Sequence, residues 1–339
     1  MNILISSTRQ WNPGDEFIRM GVQNLLAEHI GNDHNLILWN RNPDLFIDGY
    51  VNDNVKDDFS TNSAKPSDLQ HIDCVVFAGT PEWLGGPVRA VMDYLYANPE
   101  VPCLFIGIGS GRPLTMLTER DRQVLQRDNC LIIARSIDLD SELNQLLGTE
   151  KAITLPCPAL FVAKDPDSKN KQINTARKAI IIQIDKDLNH SISTELVEEF
   201  FGTLTQRDDI EIFTFYINEH TYLAEQSIAS KYSYEPNDYL RWLSDYSVVI
   251  STRLHGAIAA LSLGVPSILV ASDDNIRIRT TQGLYTDDRL PIVNNFAAAL
   301  ALADDVAGNV AQLHQFKSDT KASYQAILGP WLQTHLKST

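Results

Sequence analysis

Basic side chains are in short supply in this 339-residue chain, in which 28 lysines and arginines stand against 43 aspartates and glutamates for a formal net charge of -15. Nucleic acids and anionic membrane surfaces are held by a basic face, so the composition argues against both as partners. An anionic ligand must then be gripped by a few placed cations. Cysteine is also sparse. Cys74, Cys103, Cys130 and Cys157 each sit in an apolar, strand-like run, with no CxxC and no histidine at zinc-ligand spacing. That pattern speaks against a disulfide framework or a metal centre and for buried free thiols in a reducing compartment, the cytoplasm. Long apolar runs are missing too. The opening MNILISSTRQWNPGDE has no basic n-region, and its apolar run is too short for a signal peptide or a span. The stretch from Ser251 to Ala271 is interrupted by Arg253 and His255, which argues against a membrane helix. The loop Gly107-Ile108-Gly109-Ser110-Gly111-Arg112 lets a ligand approach the backbone but lacks full G-x-G-x-x-G spacing, so a dinucleotide-dependent redox enzyme has little support.

What is present is material for two cores, since 44% of the residues are hydrophobic over a length too great for one. Apolar strand-like runs (NILISS, LILWN, CVVFAG, CLFIGIG, LIIARS) alternate with amphipathic segments, among them Glu16 to His29, Val88 to Tyr96 and Glu119 to Gln126. A second series (AIIIQI, EIFTFY, SVVIST, PSILVAS) alternates with helices expected over Glu195 to Leu204, over Ala224 to Lys231 and from Gly256 onward. The pattern predicts an α/β protein of two Rossmann-like domains with parallel sheets facing a cleft. The expected division is 1–165, 176–315 and a C-terminal helix, 316–339, that closes one domain or crosses back to the other. The polar stretch Val162 to Lys178 reads as the linker. The last helical pattern, Gln312 to Leu336, is expected to break at Gly329-Pro330. Ligands of open parallel sheets bind beyond the carboxyl ends of the strands, which directs attention to the loops there.

One such loop stands out. VISTRLHGAIAAL places Arg253 and His255 in an apolar run, where a buried cation or imidazole is costly unless paired. The segment Ser251 to Gly256 falls at a strand end and a helix start, where free N–H groups and the helix dipole favour an anion and an arginine adds a forked donor. The competing reading is structural, with Ser251 or Thr252 as a cap, Arg253 paired to an acid and His255 a satisfied core residue. Elsewhere, Asp15 is either an N-cap or an acceptor ligand or base, and Glu16 is either a first-turn acid or a cleft residue. Arg277 and Arg279 alternate after PSILVAS, pointing into the cleft or decorating an exposed strand edge. His220 lines the cleft or caps a turn. Asp185-Lys186-Asp187 has D-x-D spacing, but so do Asp138/Asp140 and Asp165/Asp167 in this acid-rich chain, and no metal site is expected.

The run SDYSVVISTRLHGAIAALSLGVPSILV resembles the C-terminal signature of the polysaccharide pyruvyl transferase family, with its S-x-R-L-H element between a strand and a small-residue helix. Asn12-Pro13-Gly14-Asp15-Glu16 is similar to that family's N-x-G-D opening. ARSIDLDSELNQLLG and LPCPALFV resemble its arginine-containing and proline-alanine segments. Ala78-Gly79-Thr80-Pro81-Glu82-Trp83 departs from the glycine run of many members, which bears on the acceptor pocket, where Glu82 becomes a candidate. The resemblance implies a GT-B-like fold and transfer of the enolpyruvyl unit of phosphoenolpyruvate, as co-substrate and without a cofactor, to a sugar diol, forming a pyruvate ketal. Donor binding then falls to Arg253, with Ser251 and Gly256 at the same helix start, and by the resemblance to Arg135, with His255 as general acid; the acceptor or cleft candidates are Asn12, Asp15, Glu16, Glu82, Arg277 and Arg279. A sugar or glycan acceptor goes with a cytoplasmic place of action, with the membrane where glycan precursors are assembled as a peripheral station. Two rivals share the fold: a glycosyltransferase using a nucleotide sugar, and a non-catalytic binder of anions or glycans.

Overall fold

A computed structural model describes residues 1–9, 12–30, 34–41, 71–80, 87–109, 114–163, 177–184, 192–204, 207–273, 275–286, 288–306 and 310–336. The first half runs β1 (Asn2–Ser7), α1 (Pro13–Ile30), β2 (Asn35–Asn40), β3 (Cys74–Ala78), α2 (Pro87–Ala97), β4 (Cys103–Ile108), α3 (Glu119–Leu125), β5 (Cys130–Ala134), α4 (Leu139–Leu147) and β6 (Ala152–Thr154). Its strands form one six-stranded sheet in the order β2-β1-β3-β4-β5-β6, parallel throughout. After a 3₁₀ turn at Pro158–Phe161, the second half runs β7 (Lys178–Ile181), α5 (Thr194–Glu199), β8 (Ile210–Phe213), α6 (Ile217–Glu225), α7 (Pro236–Leu243), β9 (Val248–Ser251), α8 (Leu254–Ser262), β10 (Ser267–Val270), α9 (Ile276–Gln282), β11 (Ile292–Val293), α10 (Phe296–Val306) and α11 (Val310–His335). These strands make a five-stranded parallel sheet in the order β11-β10-β9-β7-β8.

The central strands are apolar without alternation because both sheet faces are covered. Every residue of β3 (CVVFA) and of β4 (CLFIGI) is buried. Each sheet reverses its strand order once, between β1 and β3 and between β7 and β9. A crevice beyond the carboxyl ends of the strands opens at such a reversal. The halves are not merely tethered. One hydrophobic core runs from Ile3 and Phe17 of the first half through Leu160 to Ala257 and Leu261 of the second, and on to Leu332 of α11. Helix α11 straps the assembly. Tyr324 Oη donates to the Pro156 carbonyl at 2.8 Å, Lys317 Nζ donates to the carbonyls of Ala163 and Ser262 at 3.0 Å each, and Lys321 pairs with Glu28 of α1 at 2.6 Å.

Three expectations about helices are corrected. The helix expected over Ala224 to Lys231 is α6, which starts at Ile217 because the Glu219 carboxylate accepts the N–H groups of Phe215 and Tyr216 at its start, both at 3.0 Å. It ends before Ser227, at φ 60°, and Lys231 instead bridges to Phe213 in extended pairing. The stretch carrying Arg277 and Arg279 is helix α9 and not a strand edge, with the Asn275 side chain accepting the Ile278 N–H at 3.2 Å. Helix α11 runs through Gly329-Pro330 unbroken. Leu328 and Leu332, buried on either side of the proline, hold the helix against the core, and that packing outweighs the one lost backbone bond. No helix among the described residues is long and apolar enough to cross a membrane.

Candidate functional site

Two helix starts meet where the sheets face each other. At the start of α1, the Asn12 side-chain oxygen accepts the Gly14 N–H at 2.9 Å, and the Asn12 carbonyl accepts those of Asp15 and Glu16 at 3.0 and 3.2 Å. Asn12 thus opens the helix as its cap. At the start of α8, Ser251 Oγ accepts the Arg253 N–H at 3.0 Å and donates to the Arg253 carbonyl at 2.7 Å. Thr252 fastens the same turn to β7, with its hydroxyl accepting the Gln183 N–H at 2.7 Å and its N–H donating to Ile181 at 3.0 Å. Gly256 lets α8 pass β7, since a Cβ there would lie 2.7 Å from Ile181 Cδ1. Gly14 does the same between the helices, because a Cβ on it would lie 2.9 Å from His255 Nδ1 and 3.0 Å from His255 Cβ.

His255, in the first turn of α8, reaches across to the other half. Its Nε2 is hydrogen-bonded by Nη1 of Arg135, which stands just beyond β5 with its N–H on the Ile108 carbonyl at 2.8 Å. Arg135 is 2% exposed and His255 7%. The guanidinium lies 3.9 Å from Cys157 Sγ, and its Nε is buried with no hydrogen-bond partner among the described residues. No described carboxylate comes within ion-pair distance of Arg135. A buried guanidinium stays protonated and is costly without a counter-charge. Burial pushes the Cys157 thiol up, with Arg135 pulling it down and Asp15 opposing that pull. Arg135, Cys157 and Asp15 therefore share one electrostatic neighbourhood.

Arg253 is treated differently. Its Nη2 pairs with Glu219 Oε1, and its guanidinium lies 4.7 Å from the centre of the Tyr216 ring and 5.4 Å from that of Phe215. Glu219 is 2% exposed, and burial pushes its carboxyl up, with Arg253 and the two backbone N–H groups pulling the other way. The charge of Arg253 is largely met by this pair, although its Nε has no partner among the described residues. Arg135 has no such carboxylate among the described residues. The start of α8, a buried arginine with no carboxylate at ion-pair distance among the described residues and an imidazole beside it form a place that can receive an anion and move a proton.

The remaining candidates are dispersed. Asp15 is half-buried at the junction, 3.5 Å from Thr8 Oγ1, while Glu16 is buried in an ion pair with Arg19 at 2.8 Å. Arg279 faces Asp273 at 2.5 Å and Asn294 at 3.1 Å, so its charge is already engaged. The side chain of Arg277 and all of Glu82 lie outside the described residues, as do Asp185 to Asp187 and most of the linker. His220 bonds Ser230 through Nδ1 at 2.8 Å and packs on Tyr232. Among the described residues no three histidine, cysteine, aspartate or glutamate side chains gather as a metal site, and the four cysteines are free and buried. Sequence reasoning passed over Glu219, whose signal was an acid just past a strand end, three residues into a helix.

A family model described as polysaccharide pyruvyl transferase matches residues 12–274. No curated protein matches the sequence. Solved structures show the fold. A protein of Listeria monocytogenes assigned as a UDP-N-acetylglucosamine 2-epimerase is 11% identical, with 99% of this chain and 97% of that one aligned at a TM-score of 0.61. MnaA of S. aureus, solved with UDP, is 14% identical over 100% and 98% at 0.60. An α-glucosyltransferase solved with UDP is 10% identical over 99% and 100% at 0.53. At such identities the likeness establishes the architecture, that of GT-B epimerases and glycosyltransferases.

Proposed function

The chain belongs to the polysaccharide pyruvyl transferase family, and from that premise we propose that it moves the enolpyruvyl unit of phosphoenolpyruvate onto two hydroxyls of a sugar or glycan, forming a cyclic pyruvate ketal. The observation that carries the reading is the Arg135–His255 contact, a buried cation with no carboxylate partner among the described residues, set against an imidazole at the start of α8. Phosphoenolpyruvate brings a phosphate and a carboxylate. Arg135 takes one of them as a charge-assisted donor, and the start of α8, with the Arg253 Nε that has no partner among the described residues, completes the cradle. Ser251 and Gly256 shape the α8 start from beneath.

The chemistry follows from that placement. A proton passes from His255 Nε2 to the methylene carbon of the enol, and the adjacent carbon becomes oxocarbenium-like. The first sugar hydroxyl bonds that carbon and loses its proton, which restores the imidazolium. The second hydroxyl displaces phosphate, and its proton leaves on the phosphate as hydrogen phosphate. Arg135 and the helix starts stabilise the departing charge. Asp15, half-buried at the same junction, is the carboxylate placed to face the acceptor. A cytoplasmic site of action beside glycan precursors and a reaction free of any cofactor go with this reading.

The test is phosphate release from phosphoenolpyruvate against a panel of glycans bearing neighbouring diols. Glycan-dependent release supports the proposal. Nucleoside diphosphate released from a nucleotide sugar instead supports a glycosyltransferase, and anion binding without turnover on any glycan supports a binding protein.

A further inference from the structure

Two glycines of the loop after β4 make room for groups of the protein itself. At Gly107, where φ is 71°, the β4–β5 ladder slips by one residue, with Ile106 opposite Ile133 but Ile108 opposite Ala134, and a Cβ there would lie 2.7 Å from Pro158 Cδ. Such a bulge re-aims the chain that follows it. Gly109 then runs alongside the Arg135 guanidinium, where a Cβ would lie 3.1 Å from Nε, 3.2 Å from Nη2 and 3.4 Å from Cζ. Nε of Arg135 has no hydrogen-bond partner among the described residues, so this side of the guanidinium is bounded by packing on Gly109 and not by a bond. The wall is itself fastened. The Gly109 N–H donates to Thr80 Oγ1 at 2.9 Å, and the same hydroxyl donates to the Gly109 carbonyl at 3.4 Å. The Thr80 carbonyl accepts from Arg41 Nη1 at 2.8 Å, while Nη2 of Arg41 donates to the carbonyls of Ser6 at 2.5 Å and Ala78 at 3.1 Å. Arg41, just past β2, thereby ties the ends of β1 and β3, where the strand order reverses, to the residue that holds Gly109.

We propose that Thr80 and Gly109 are positioning residues for the donor site: the Thr80 hydroxyl fixes the Gly109 backbone, and that backbone aligns the Arg135 guanidinium for the phosphoenolpyruvate anion. This deepens the pyruvyl transfer reading and rests on its assignment of Arg135 to the donor. A guanidinium offers its N–H groups as a rigid planar fork, so its bonds to a phosphate or carboxylate depend on the direction in which that plane is held. A long side chain does not fix that direction by itself. Binding groups keep their worth only when a supporting shell holds them within about 0.5 Å of the productive place. Here the shell is a hydroxyl that grips both polar groups of one glycine, and a glycine without the side chain that would push the guanidinium away.

Thr80→Val keeps the branched shape and removes the hydroxyl, whereas Thr80→Ser keeps the hydroxyl. Calorimetric titration of the folded proteins with phosphoenolpyruvate is expected to give Thr80→Val an affinity about 3- to 10-fold below that of the wild type, the worth of one hydrogen bond, with Thr80→Ser close to the wild type. A purely structural hydroxyl would lower the melting temperature of Thr80→Val and leave the affinity of the folded protein unchanged. Wild-type affinity in Thr80→Val, or a loss in Thr80→Ser as large as in Thr80→Val, overturns the proposal and leaves the donor site standing. Gly109→Ala approaches from the other side and keeps the test alive if Thr80→Val does not fold. Gly109 lies outside the left-handed region, so alanine fits its backbone, and the added methyl meets the guanidinium at 3.1 Å. Its affinity is expected to fall by a similar factor, and wild-type affinity there also overturns the proposal. No binding of phosphoenolpyruvate by the wild type removes the donor-site reading and this proposal together.

Discussion

Replacing Arg135 by methionine should separate what this residue does for folding from what it does for the ligand. Arg135 is 2% exposed, and its guanidinium lies against Cys157 and His255 with no carboxylate in ion-pair range among the described residues. Methionine matches the length of its aliphatic stem and brings no charge into the core. Replacing buried ionic groups by apolar ones of similar volume is commonly neutral to stabilising by up to about 4 kcal/mol, so Arg135→Met should unfold at the same or a higher temperature than the wild type without ligand. Donor binding should move the other way. Loss of one charge-assisted hydrogen-bonding partner costs about 1.5–3 kcal/mol, an affinity loss of about 10- to 150-fold. Thermal unfolding with and without phosphoenolpyruvate reads both effects, because a ligand at 100 times its Kd stabilises the native state by about 2.7 kcal/mol. The wild type should gain melting temperature with ligand, and the variant at the same concentration should gain little. A variant that is markedly less stable alone and still fully stabilised by the donor would refute the reasoning and return Arg135 to a packing role.

His255→Ala should bind donor and lose turnover by about 10²–10⁴-fold, measured as phosphate release, if its Nε2 supplies the proton; unchanged specific activity with a lower melting temperature would make it a core residue. Gly14→Ala places a methyl 2.9 Å from His255 Nδ1 and should force the α1 and α8 starts apart, lowering turnover in a protein that still folds; circular dichroism beside activity checks both halves of that statement. Glu219 has its carboxyl raised above the ordinary 4.5 by burial, so its contribution is fully present below about pH 4.5 and is lost as pH rises through the folded value. Stability of the wild type relative to Glu219→Gln should therefore decline from about pH 4.5 upward in urea melts, and an increase over that range would contradict the assignment. Turnover should survive chelation, whereas complete, metal-reversible loss would point to a metal-dependent reaction.

The sequence by itself determined the layers and the parallel sheets, because these rest on local signals: strand-long apolar runs and amphipathic helices between them; a cation and an imidazole at a strand-to-helix junction marked Ser251–Gly256 as a candidate in the same way. It also marked Arg135, through the resemblance its segment carries, as belonging with Arg253. The last helix was misjudged from the same local signals, since Gly329-Pro330 breaks a helix in isolation and not one held by Leu328 and Leu332 in the core. What only the tertiary structure decided is which charges meet. Arg253 looked like the free cation, yet the fold brings Glu219 to it from 34 residues upstream, while Arg135 arrives beside His255 across 120 residues with no carboxylate in ion-pair range among the described residues. Sequence spacing cannot assign partners at such separations, because Coulomb energy depends on distance and burial in the folded chain, and a buried cation becomes a candidate ligand site only through what is not packed against it.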